Sequence, residues 1–99
     1  MKKIKKLKTK IFADGADLTK ISYLNSKKYI SGFTTNPSLM KNSNVKNYET
    51  FSKNLLNIVK KKSISFEVTS DDINVMEMQA YKIDSWGKNV FIKIPFTNS

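Results

Sequence analysis

Apolar and polar residues alternate along this chain in segments of two kinds, and their order sets the architecture. Ser63 to Val68 (SISFEV) repeats with period two, Ile64, Phe66 and Val68 on one face and Ser65 and Glu67 on the other, which predicts a half-buried strand. Val45, Tyr48, Phe51, Leu55, Ile58 and Val59 recur at steps of three and four, which predicts an amphipathic helix from about Asn44 to Lys62. Lys10 to Ala13 reads as a strand running into Asp14, with Gly15 supplying a turn and Asp17 an N-cap for a helix carrying Leu18, Ile21, Tyr23 and Leu24. Tyr29 to Thr35 reads as a second strand, stopped where Asn36 caps and Pro37 opens a short helical turn through Met40. Ser70, Asp71 and Asp72 cap a further helix with Ile73, Met76, Ala80 and Ile83 on its stripe, closed by Gly87.

The last segment, Val90 to Phe96 (VFIKIPF), is a strand interrupted by an amine. Period two puts Val90, Ile92, Ile94 and Phe96 on one face, and Phe91, Lys93 and Pro95 on the other. Two readings of Lys93 stand at this point. It is either an edge-strand lysine that reaches water, or an amine in a dry cavity where the neutral form is favoured and attacks carbonyls.

The resulting order, strand and helix alternating through four strands and three main helices, fits parallel βαβ units in an α/β fold. Such strands need cover on both faces and both edges, so the chain reads as incomplete: it ends just after a strand, where a further βα loop is expected. Residues 1–9 read as a basic tail and residues 10–99 as the folded unit.

Composition narrows the chemistry. Of the 99 residues, 39% are hydrophobic, which suits a single globular unit. With no cysteine or histidine, thiol and imidazole catalysis and the usual zinc sites are excluded, leaving Lys, Asp, Glu, Ser, Thr and Tyr. The formal charge of +10 comes from 18 basic residues, all lysine. Without the guanidinium fork, sequence-specific nucleic-acid readout is not expected, although a lysine-rich module attracted to polyanions remains a second class of function. Lys60 to Lys62 are expected at a helix C-terminus. The basic opening is not followed by the apolar core of a signal peptide, and no stretch is long enough to span a membrane, so the expectation is a soluble, cytoplasmic protein.

Each predicted strand carries polar residues at its C-terminal end: Asp14, then Thr34, Thr35 and Asn36, then Glu67, then Lys93. In parallel α/β folds that pole holds the ligand. An amine, two carboxylates and hydroxyl and amide groups are the set that Schiff-base aldol chemistry uses.

Three stretches in this order resemble the transaldolase family: FAD at Phe12 to Asp14, GFTTNPSL at Gly32 to Leu39, and IKIP at Ile92 to Pro95. The resemblance runs from about Lys10 to the end of the chain. It implies the N-terminal half of a (β/α)8 TIM barrel, four strands of eight, since a full barrel takes about 250 residues. It further implies Lys93 as the Schiff-base lysine, Asp14 as the acid/base group and Glu67 as a group moving protons through a water. Thr34, Thr35 and Asn36 would bind the dihydroxyacetone unit. Sugar phosphates are the implied substrates, in carbohydrate metabolism of the pentose phosphate type, with no metal or organic cofactor. A glutamate at position 67 fits the transaldolase branch better than the fructose-6-phosphate aldolase branch, which stays the alternative. Gly15 departs from the family's usual threonine, and the second-half residues, including a phosphate-gripping arginine, are absent. Little activity is therefore expected of these 99 residues alone, and the open sheet edges invite self-association.

Overall fold

The computed structural model describes residues 9–70 and 72–94. Strand β1 (Ile11–Asp14) leads to helix α1 (Leu18–Asn25), then β2 (Ile30–Thr34), a short α2 (Pro37–Asn42), α3 (Tyr48–Ile58), β3 (Ser63–Glu67), α4 (Ile73–Asp84) and β4 (Val90–Lys93). The four strands form one sheet in the order β1-β2-β3-β4, every neighbouring pair parallel. Sequential order with a helical crossover between each pair is the winding of a (β/α)8 barrel, and the sheet is a four-strand arc of that kind.

One face of the arc is covered and the other is open. Phe33, Ile64 and Phe66 of the sheet, with Val68 just beyond β3, are buried against Ile21 of α1, Met40 of α2, Phe51 and Leu55 of α3, and Ile83 of α4. Phe66 meets Trp86 edge-on, centroids 5.5 Å apart, and Tyr48 packs obliquely against both. On the opposite face Phe12 and Phe91 are 47% and 59% exposed. The alternation in the sequence thus sorts residues between a packed helix layer and an uncovered concave side.

Local chemistry fixes the helix starts. The Asp17 carboxylate accepts from the Thr19 and Lys20 amides, Asn36 Oδ1 from Leu39, Asn47 Oδ1 from Thr50 and Asp72 Oδ1 from Val75. Asp71 and the proposed strand residues Pro95 and Phe96 lie outside the described residues.

Several boundaries differ from expectation. The helix expected over 44–62 runs only from Tyr48 to Ile58. Asn44 has a left-handed backbone, φ 61°, which interrupts helical geometry, and Asn47 caps the true start. At the other end Val59 is extended and fully buried, so Lys60 to Lys62 belong to the link into β3 rather than to a helix terminus. Lys62 Nζ instead donates to the Lys27 carbonyl. Helix α4 ends at Asp84, where the Ser85 amide meets the carbonyls of Tyr81 and Lys82, both at 3.2 Å. Gly87 follows without a positive φ and so is not the closing residue. Gly15 likewise makes no glycine-type turn, because its amide extends the ladder to the Thr34 carbonyl at 3.0 Å.

The pole opposite the candidate site is stapled by side chains. Asn89 Nδ2 donates to the carbonyls of Val59 (3.0 Å) and Lys62 (2.8 Å), and Asn25 Nδ2 to that of Ile58 (3.2 Å). These bonds satisfy loop carbonyls that no ladder reaches.

Candidate active site at the C-terminal strand ends

The register decides which polar residues meet. Asp14 lies opposite Thr34, Thr34 opposite Ser65, and Ser65 opposite Phe91, forming one level across all four strands. Two residues further on, Glu67 lies opposite Lys93. Period two then places Asp14, Thr34, Glu67 and Lys93 on the open face at its C-terminal rim, with adjacent strands about 4.8 Å apart. Four of the six residues singled out in the sequence therefore converge.

Backbone approach at this face is close at Gly32, one level below. A Cβ there would stand 2.3 Å from Ser63 Oγ, 2.7 Å from the Ser63 carbonyl oxygen and 2.8 Å from Phe12 Cε2. Only glycine lets Phe12 and Ser63 close over β2 at this point.

The Thr34 hydroxyl oxygen is buried and has no hydrogen-bond partner among the described residues. The residue as a whole is half-buried at the rim of the open face. Asn36, just beyond β2, commits its Oδ1 to the Leu39 amide at 2.9 Å, so its NH2 is the part with hydrogens to offer. Thr35 stands apart from the others. It is 1% exposed and alternates onto the helix side, so the substrate contact expected of it is not available from the open face. Its amide contributes a ladder bond to the Ser65 carbonyl at 3.1 Å.

Lys93 is exposed on an edge strand, the setting of the first of the two sequence readings. Its main chain is firmly placed, its carbonyl accepting from the Val68 amide at 3.1 Å. Glu67 is half-buried, and its own carbonyl accepts from the Tyr48 hydroxyl at 2.7 Å.

Sequence reasoning passed over Ser65, Phe91 and Tyr48. Ser65 was legible as a neighbour of Glu67 from the alternation SISFE, but its level with Asp14 and Thr34 depends on strand register, which no local pattern encodes. Tyr48 counted only as a member of an apolar stripe.

The winding of the sheet and the gathering of amine, carboxylates and hydroxyl at its C-terminal rim define a parallel α/β protein of the (β/α)8-barrel type. Residues 11–99 match the family described as Transaldolase/Fructose-6-phosphate aldolase, and the chain belongs to that family. It is 39% identical over 88 residues to a probable transaldolase of Sulfurihydrogenibium sp., covering 89% of this chain and 40% of the relative. Probable transaldolases of Dehalococcoides mccartyi (32%) and Nitrosopumilus maritimus (35%) match over the same share of this chain and 41% and 39% of their own lengths. The chain thus spans about two fifths of the length of these curated relatives. Among the described residues no helix is long and apolar enough to cross a membrane.

Proposed function

We propose that this chain carries the Schiff-base half of a transaldolase, an enzyme moving a dihydroxyacetone unit from a ketose phosphate to an aldose phosphate. The observation that carries the reading is the cross-strand pairing of Glu67 with Lys93, on the face and at the end of the sheet where Asp14 pairs with Thr34.

In this reading the Lys93 amine adds to the ketose C2 carbonyl, and the carbinolamine loses water to give an iminium ion. Glu67, directly across from Lys93, moves the required protons through a water. Asp14 takes the proton from the C4 hydroxyl, the C3–C4 bond breaks, and its electron pair passes into the iminium to leave an enamine on Lys93. The aldose phosphate departs, and an acceptor aldehyde is attacked by the enamine in the reverse sense. Thr34 and Asn36 hold hydroxyls of the retained unit. The glutamate at position 67 favours transfer over simple aldol cleavage.

Fructose 6-phosphate with borohydride tests the assignment. A reduced adduct located at Lys93 and absent from Lys93→Ala is expected. Its yield should be low, because orienting the reactants can account for about 7 to 11 kcal/mol of barrier and an open sheet face orients poorly. Adducts spread evenly over the 18 lysines would overturn the role given to Lys93.

A further inference from the structure

The rung that would complete the β2–β3 ladder at the site is missing its donor. In a parallel pair the bonds repeat every two residues, and the Thr35 amide to Ser65 carbonyl bond sets the phase. Continued in that phase, the ladder would next take the carbonyl of Glu67 as acceptor and the amide of residue 37 as donor. That residue is Pro37, which has no N–H and opens α2 instead. A strand-end carbonyl left without a donor beside a packed core would be costly.

Tyr48 supplies the donor from elsewhere. It is the first residue of α3, placed by the Asn47 cap, and its ring is wedged against Phe66 and Trp86. From there its hydroxyl reaches the Glu67 carbonyl at 2.7 Å. Burial pushes the Tyr48 hydroxyl up to about 12, so it is a protonated donor throughout the neutral range.

We propose that Tyr48 is a positioning residue, which replaces the absent amide of Pro37 and so fixes the end of β3 with Glu67 opposite Lys93. This rests on the reading of Glu67 as the group that moves protons at Lys93. Pro37 lies within one of the stretches that resemble the family, whereas Tyr48 lies 11 residues further on in the helix that crosses to β3. The tyrosine is joined to the site only by the fold.

The test is a double-mutant cycle read on the Lys93 side-chain NMR signal of the full chain at constant neutral pH. Glu67→Gln is made both in the wild-type background and in Tyr48→Phe, which removes one oxygen and keeps the ring packed between Phe66 and Trp86. The Lys93 shift caused by Glu67→Gln should be roughly halved in the Tyr48→Phe background, and the Val68 amide should exchange about tenfold faster there, as loss of one hydrogen bond implies. A Lys93 response of equal size in both backgrounds overturns the proposal, even with faster exchange, because Tyr48 would then be structural alone. Borohydride trapping decides the reading of Lys93 in a separate experiment, so failure of that reading and failure of this proposal are seen in different signals.

Discussion

The two faces of the sheet are made from the same strands and have opposite characters. On the helix side Phe33, Ile64 and Phe66 are no more than 1% exposed and interdigitate with side chains of four helices. On the concave side stand Phe12 and Phe91, 47% and 59% exposed, among Thr34, Ser65, Asp14, Glu67 and Lys93. The buried core lies on the first face and the candidate site residues on the second. Polar groups can gather on the second face because most of the buried core lies on the first.

Truncating one phenylalanine on each face of neighbouring strands separates the two most strongly. Phe66→Ala should cost about 3–5 kcal/mol in urea unfolding, through lost burial and the cavity beneath Trp86. Phe91→Ala, one strand away on the open side, should change stability by no more than about 0.5 kcal/mol. Equal losses would mean that the concave face is packed in solution.

Gly32→Ala probes the concave face where it is tight. The added methyl meets the Ser63 backbone and the Phe12 ring, and a cost of about 1–3 kcal/mol is expected in thermal unfolding. A neutral result would show that β1 and β3 separate freely over Gly32.

Alkaline titration tests the joint between the faces. The Tyr48 hydroxyl is held protonated up to about 12 by burial, against 10.0 for the free group. Its folded value is therefore raised, so its contribution is complete below pH 10 and is lost as pH rises from 10 to about 12. Wild type should lose stability over that window more steeply than Tyr48→Phe, and parallel curves would contradict the burial of the hydroxyl.

The adjacent threonines give the smallest contrast. Both hydroxyl oxygens are buried without a partner among the described residues. Thr35→Val, on the helix side, should raise stability by about 1 kcal/mol, since a polar group without a bond is replaced by a methyl of the same shape. Thr34→Val should abolish borohydride trapping at Lys93 while leaving unfolding little changed. The reverse pattern would exchange the two faces.

Much of this was legible in the sequence for reasons that are local. Strand alternation, the Asn36–Pro37 start and the Asp17 and Asp72 caps depend on residues within a few positions of each other, and each appears in the structure where the pattern puts it. The polar residue at each strand end was visible too, once the order of elements implied a parallel sheet. Where local reasoning failed, something distant had intervened. Val59 is extended and fully buried in the core instead of continuing the helix.

Periodicity and capping act over three or four residues, and so the sequence alone carries the elements, their order and the pole at which the polar strand-end residues collect. Only the tertiary structure decided which of those groups are neighbours. Register pairs Glu67 with Lys93 and Asp14 with Thr34, and a tyrosine from another helix donates to the Glu67 carbonyl. Those pairings join residues 20 to 26 positions apart, a distance at which only the packing of the sheet and its helices carries information.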